Sequence, residues 1–251
     1  MVFISHGGKI VGKAKAYSAG RHDPFWYENF VGLMEVVELL DPESGVASVT
    51  FQSEGVKGWD DVIVQFANGR RRCYQVKHTR KDDRLTFGDL VQPDEKSTSL
   101  LGSLFASWKS AGLNDGLTEC VLYTNREAGN REFPSSVGVR RPPLLKFMNW
   151  LIGELPHIQS LADCKPNAEW ADAWIEWRSQ LIGGTDQEQI EFLRALEIRV
   201  DQDDLDGISD RVCAKLAATF GVSRQRINPV FASLHQALKK WTTGYSHEMR
   251  F

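Results

Sequence analysis

The sequence predicts an α/β protein, with a mixed sheet flanked by helices and then a helical C-terminal region. Three observations carry that expectation. Two runs rich in β-branched and aromatic residues, Val62 to Ala67 and Arg70 to Lys77, flank Asn68-Gly69, the strongest short-range hairpin signal. An apolar-striped helix over residues 24–40 precedes the hairpin. After it, a helix over residues 96–111 leads to a short apolar strand, Thr118 to Thr124, as a helical crossover to a parallel strand would. From about residue 143 onward the apolar spacing is that of helices.

Residues 1–22 are rich in Gly and Lys, lack a periodic pattern and are expected to form a flexible arm. Gly7 to Ala14 nearly fits the phosphate-binding loop G-x-x-x-x-G-K-[ST]. However, Ala14 stands where the Mg²⁺-binding hydroxyl belongs, and no strand is expected before it. The next helix has Asp23 as its cap and Pro24 in its first turn. It carries Phe30, Leu33, Met34, Val37 and Leu40 as its apolar stripe and stops at Asp41-Pro42. Among its acids, Glu28 lies beside Tyr27, while Glu35 and Glu38 are expected in solvent.

Residues 46–53 alternate like a strand, and Glu54-Gly55 begins the turn into the hairpin. In the second hairpin strand, a period of two puts Cys73, Gln75 and Lys77 on one face and Tyr74, Val76 and His78 on the other. The turn decides what stands opposite them. A two-residue Asn68-Gly69 turn pairs Ala67 with Arg70 and sets Asp60 against Lys77. A three-residue loop, Ala67-Asn68-Gly69 with Gly69 left-handed, sets Asp61 against Gln75. Arg70, Arg71 and Arg72 at the turn and the run His78 to Arg84 give the hairpin a cationic rim.

Further on, residues 127–143 are irregular and contain Arg131, Arg140, Arg141 and a Pro-Pro pair. Trp170, Trp174 and Trp177 fall on one helical stripe, as core residues do, and Phe192 to Val200 is expected to end in a short extended segment. Leu205 to Leu216 and Val230 to Trp241 mark the last two helices. Between them, Leu216 to Arg226 resembles the turn of a helix-turn-helix. Pro229 would interrupt its second helix, so Asn228-Pro229 is expected to start a fresh one. The domain expectation is an arm over 1–22, a core over 23–145 and a helical region over 146–251, with a soft boundary near 145.

The chain has 251 residues, of which 42% are hydrophobic and 25% charged, ordinary values for a globular protein. No apolar run approaches the ~20 residues of a membrane helix, and Met1 to His6 lacks the apolar core of a signal peptide. Cys73, Cys120, Cys164 and Cys213 are far apart and form no C-x-x-C. They suit reduced thiols in a cytoplasmic protein without a zinc site. A net charge of −3 argues against coating nucleic acid with the whole surface but leaves room for a local basic footprint.

An acid opening one strand, facing a polar ligand and a lysine on its neighbour, suits metal-dependent hydrolysis of phosphodiesters. Oxygen ligands hold Mg²⁺, and a lysine stabilises the transition state or orients the attacking water. The stretch resembles the PD-(D/E)xK nuclease superfamily in its Mrr-like Q-x-K variant, where Gln replaces the second acid. More narrowly, Tyr27-Glu28-Asn29, then Glu54, Asp60-Asp61-Val62-Ile63-Val64 and Gln75-Val76-Lys77-His78 resemble the double-stranded-DNA endonuclease domain of bacterial anti-phage effectors. The match covers residues 25–80, and Thr124-Asn125-Arg126 resembles a polar strand ending in the same nucleases.

The resemblance implies a restriction-endonuclease-like core: a helix, a three-stranded sheet containing the hairpin, a helix and a strand. It implies Mg²⁺ or Mn²⁺ held by Asp61 (or Asp60), the Gln75 side chain and the Val76 carbonyl, with Lys77 stabilising the transition state and Glu28 assisting. The family pattern, with its acid directly before the apolar strand, favours Asp61 over Asp60. Double-stranded DNA would meet Arg70, Arg71, Arg72, His78, Arg80, Lys81 and Arg84 through its phosphates. Such effectors need a switch: a sensor or regulatory partner protein, a C-terminal sensor module or homo-oligomerisation. The alternatives are a pseudo-nuclease that binds DNA or a partner without cutting, and a helix-turn-helix DNA binder using residues 205–241.

Overall fold

The computed structural model describes residues 4–6, 23–53, 55–79, 84–93, 98–129, 133–134, 140–242 and 247–250. In chain order the elements are β1 (Ile4–His6), α1 (Asp23–Glu38), β2 (Val46–Phe51), β3 (Val62–Phe66), β4 (Arg71–Lys77), α2 (Phe87–Val91), α3 (Leu100–Ser110) and β5 (Thr118–Thr124). They continue as β6 (Phe133–Pro134), β7 (Arg140–Arg141), α4 (Leu144–Glu154), α5 (Ala171–Arg178), α6 (Asp186–Ala195), β8 (Leu196–Val200), α7 (Leu205–Thr219), α8 (Arg224–Thr242) and β9 (His247–Arg250). The protein is α/β. Its main sheet is mixed, with the order β1-β8-β5-β4-β3-β2-β9, while β6 and β7 form a separate ribbon.

Strands β2, β3 and β4 make an antiparallel meander, and β5, β8 and β1 then run parallel to β4 in turn. Parallel neighbours need crossovers, and α2 with α3 supplies the one from β4 to β5. Each sheet face is covered. On one, Cys73, Cys120, Leu122, Leu196 and Ile198 join the apolar residues of α2 to α6, including Trp170, Trp174 and Trp177. On the other, Val62, Val64, Tyr74, Val76, Val121 and Tyr123 meet Tyr27, Leu33 and Val37 of α1 and Ile208, Val212 and Leu216 of α7.

The structure differs from the sequence expectation in several places. Ile4–His6, inside the stretch expected to be an arm, is an edge strand paired with β8, and it does precede Gly7; residues 7–22 lie outside the described residues. The region after 146 is not helical alone, because β8 enters the sheet between β5 and β1 and β9 pairs with β2. The turn after residue 77 contains an additional short helix, α2, closed by a capping box between Thr86 and Asp89. Helix α8 starts at Arg224 and continues through Pro229 instead of starting there. The interior proline removes one backbone donor, but the apolar stripe of Ile227, Phe231, Leu234 and Leu238 runs unbroken past it onto α1 and α7, and that burial offsets the loss.

Glu35 and Glu38 are not left to solvent. The Tyr74 hydroxyl donates to Glu35, the Arg199 guanidinium donates to the Tyr74 oxygen at 3.2 Å and pairs with Glu197 at 2.9 Å, and Lys215 of α7 pairs with Glu38. These bonds tie α1, β4, β8 and α7 together. Arg141, expected in an irregular loop, is 8% exposed and pairs with Glu176 of α5 at 2.5 Å. Among the described residues, no helix is long and apolar enough to cross a membrane.

Candidate active site

The hairpin turn places the site. Phe66 donates its amide to Arg70 at 2.8 Å, Gly69 donates to Phe66 at 3.0 Å, and Gly69 has φ +85°. The loop is therefore the three residues Ala67, Asn68 and Gly69, with glycine in the left-handed conformation that closes a bulge. Asn68 accepts the Arg70 amide at 3.0 Å and braces the turn. The pairing that follows, Val62 with Tyr74 and Ile63 with Cys73, extrapolates to Asp61 opposite Gln75.

At that end the ladder stops and a side chain takes over. Asp61 Oδ2 accepts the Val76 amide at 2.6 Å and the Gln75 side-chain amide. A residue in a strand points its N–H and C=O to the same edge, so the Val76 carbonyl faces the Asp61 side as well. Burial raises the pKa of Asp61. The Val76 amide and then Lys77 oppose that rise, and Asp60 adds to it.

Glu28, on α1, reaches the same place. Its carboxyl is pushed up to about 7, first by burial and then by the Asp61 charge, against the lowering effect of Lys77 and of a hydrogen bond with Gln52. Two part-buried carboxyls thus lie near enough for Glu28 to feel the charge of Asp61, and for both to feel the exposed Lys77 ammonium. Asp60 is held differently: its Oδ1 accepts the Gly58 amide at 2.8 Å and closes the preceding turn, although its charge is still felt by Asp61 and Glu28.

Two contributors carried no sequence signal. Gln52 sits at φ +47°, a conformation that costs a non-glycine residue free energy. Its amide donates to the Asp61 carbonyl at 3.2 Å, while its side chain bonds Glu28. Trp59 is fully buried and donates from its indole nitrogen to Leu104 of α3 at 3.0 Å, fixing the loop that delivers Asp60 and Asp61. Polar residues at strand ends and lone tryptophans are common, so only the tertiary contacts distinguish these two.

Beyond Lys77, the carboxyl ends of β4 and β5 carry further polar groups and a cleft. Asn125 grips the Thr79 backbone from both sides, accepting its amide at 3.0 Å and donating to its carbonyl at 2.6 Å. The His78 ring lies 4.6 Å from that of Tyr27, whose hydroxyl donates to the Asp203 carbonyl at 2.8 Å. A cleft of about 230 Å³ opens here, lined by Lys77, His78, Thr79, Leu85, Thr124 and Arg126 among others. In open α/β sheets, ligands bind in such crevices outside the carboxyl ends of strands.

The arginines of the turn are not part of this place. Arg70 and Arg72 pair with Glu119, Arg71 pairs with Asp115 at 2.6 Å, and all three sit at the amino end of β4, away from Lys77. The three arginines thus form part-exposed ion pairs at the opposite end of β4 from Lys77. Arg84 is half-exposed, 3.7 Å from Glu127, and Arg126 donates to its carbonyl at 2.6 Å. Glu54, Arg80 and Lys81 lie outside the described residues.

Among the described residues, no three His, Cys, Asp or Glu side chains gather as a metal cage. Mg²⁺ does not need one, since it binds through one or two carboxylates, with waters and substrate phosphate completing its octahedron. Asp61 and Glu28, with the Val76 carbonyl on the same side, offer oxygen donors that suit Mg²⁺ better than zinc, and the Gln75 oxygen would join them once its amide, whose nitrogen here donates to Asp61, turns over. No family model and no curated protein matches this chain.

Proposed function

We propose that this protein is a metal-dependent endonuclease of double-stranded DNA on a restriction-endonuclease-like core, serving as an effector of bacterial anti-phage defence. One observation above all supports the reading: the three-residue turn brings Asp61 to the Gln75–Lys77 end of β4, where Val76 and Gln75 orient its carboxylate and Glu28 joins it. The element order fits as well. A helix, a three-stranded meander, a helical crossover and a parallel strand follow one another as α1, β2, β3, β4, α3 and β5.

Asp61, the Gln75 side chain and the Val76 carbonyl would hold Mg²⁺ or Mn²⁺, with Glu28 assisting. The ion, when bound, polarises the scissile phosphate and makes a bound water a better nucleophile. The protein's own groups do the rest. Val76 and Gln75 fix the Asp61 carboxylate before substrate arrives, so it need not reorganise during reaction. Lys77, exposed at the strand end, contributes a fixed cation where negative charge develops on phosphorus. DNA reaches the site along the carboxyl edge of β4 and β5, past His78, Arg84 and the cleft. A sensor partner or self-association would supply the switch that confines cutting to infection.

The neutral Gln75 favours a second reading, in which metal affinity is too low for turnover and the domain binds DNA without cutting it. Incubating supercoiled plasmid with the protein and Mg²⁺ or Mn²⁺, with and without EDTA, separates the two. Nicked and linear DNA that EDTA suppresses supports the nuclease. Intact plasmid under every metal condition supports the scaffold.

A further inference from the structure

The sequence argues against a helix-turn-helix because Pro229 should begin a new helix, yet α8 does not begin there. Helix α7 ends in a Schellman motif. Gly221, at φ +61°, donates to Ala218 at 3.2 Å, and Val222 donates to Ala217 at 3.0 Å. Helix α8 is then under way at once, with the Ile227 amide bonded to Ser223 at 3.2 Å. Only Phe220 to Ser223 separate the two helices. Ile227, from the first turns of α8, is buried with Val212 and Leu216 of α7, and Arg224 pairs with Asp210, so the pair is locked at the turn.

The two faces of α8 differ sharply. Inward, Phe231 stacks on Phe30 at 5.8 Å and His235 meets Trp26 at 4.7 Å. Outward, Gln225, Arg226, Pro229, Ala232, Ser233 and Gln236 are all exposed. Although the chain carries 33 acids and a net charge of −3, α8 contains no Asp or Glu, and Arg226 stands on its exposed face beside Arg224, which pairs with Asp210 of α7. An acid-free exposed helix on an acidic protein is complementary to a polyanion. The small Ala232 and Ser233 let the backbone approach closely, as a helix must to enter a groove ~12 Å wide. Glutamine amides match the donor and acceptor edge of adenine, and arginine matches phosphate or guanine.

We propose that α7 and α8 form a helix-turn-helix that docks α8 in the major groove of duplex DNA. This is a binding site separate from the carboxylate site of Asp61 and Glu28, and it stands whether or not that site cuts. Where cutting does occur, α8 adds affinity and register that the arginines paired at the hairpin turn do not supply.

The test uses the whole chain in EDTA, with fluorescence anisotropy on a labelled duplex of about three helical turns. Two variants alter the outward face without touching a buried residue: Gln225→Glu with Arg226→Glu, and Ser233→Glu alone. Each is expected to weaken duplex binding about tenfold or more at unchanged thermal stability. The double variant also flattens the dependence on salt by roughly one unit for each phosphate that is no longer neutralised. Arg70→Ala with Arg71→Ala, at the far end of the hairpin, binds as the wild type does. Wild-type affinity and salt slope in both α8 variants, or no duplex binding by the wild-type chain, overturns the proposal and leaves α8 as a solvated helix or a face for a protein partner. A protein that fails to cut plasmid with Mg²⁺ but loses duplex affinity in the α8 variants sinks the nuclease reading and leaves this one standing.

Discussion

Glu28→Gln makes a prediction whose sign follows from the pKa shift alone. In the folded protein the Glu28 carboxyl is pushed from 4.5 up to about 7, chiefly by burial and then by Asp61. A raised carboxyl favours the folded state while protonated. Its stabilising contribution is therefore complete below the unfolded value near 4.5 and is lost as pH rises to about 7. Glutamine keeps the shape and an acceptor oxygen for Gln52 but carries no charge, so it escapes the loss. At ~1.4 kcal/mol per unit, the undiscounted shift would be worth about 3 kcal/mol. Glu28 keeps some contact with solvent, and screening brings the expected gain to about 1–2 kcal/mol. For a chain of this length that is roughly 3–6 °C in Tm. Metal-free thermal unfolding of both proteins, from about pH 4.5 to about pH 8.5, measures the gap. It should be near zero at the acid end and open through pH 7 in favour of the variant. Adding Mg²⁺ at the alkaline end should stabilise the wild type more than the variant. Two unfolding curves that stay parallel across the whole range would refute the argument, because then Glu28 neither repels Asp61 nor suffers burial.

Lys77→Ala should cut plasmid ~10²–10³-fold more slowly, the usual loss for one preorganised charge, with only a small fall in Tm near neutral pH, because the exposed side chain packs little but offsets the Asp61 and Glu28 charges; wild-type rates in the variant would remove Lys77 from the chemistry. Arg70→Ala with Arg71→Ala should leave DNA affinity and its salt slope unchanged, since both arginines pair with acids at the far end of β4, and should cost at most about 1 kcal/mol of stability; a flatter salt slope would show that these arginines do meet phosphate. Gly69→Ala should cost about 1–2 kcal/mol in chemical denaturation, although no atom lies within 4 Å of the added carbon, because the backbone at φ +85° disfavours any side chain. An unchanged denaturation midpoint would mean that the turn relaxes into another form.

What the sequence showed best was local. The hairpin, the α1 stripe and the apolar strand Thr118–Thr124 each rest on periodicities of a few residues, and each formed as the spacing expected. The choice between Asp60 and Asp61 lay within a turn whose two forms differ by one residue. The bonds of Phe66, Gly69 and Arg70 decide that turn, and with it which aspartate stands opposite Gln75, in favour of the longer loop and Asp61. Contacts distant in the chain were illegible. Nothing near Arg70 or Arg72 announces Glu119, 49 and 47 residues away, so the sequence showed the cations of the turn without their acid partners. Glu35 looked solvated because its partner, the Tyr74 hydroxyl, belongs to a strand that had not yet been folded onto α1. The helix through Pro229 was missed for the opposite reason. A strong local rule, that proline ends a helix, was overridden by an apolar stripe packed on two other helices.

The most direct measurement compares Asp61→Asn with Asp60→Asn in plasmid cleavage at saturating Mg²⁺. Asp61 carries the carboxylate that Val76 and Gln75 orient, whereas that of Asp60 is bonded to the Gly58 amide. Asp61→Asn should abolish nicking and linearisation, and Asp60→Asn should retain most of the wild-type rate, with some loss of stability from its turn. Cleavage that survives Asp61→Asn, or that is lost in Asp60→Asn alone, would contradict the placement of the metal at Asp61 and the mechanism built on it.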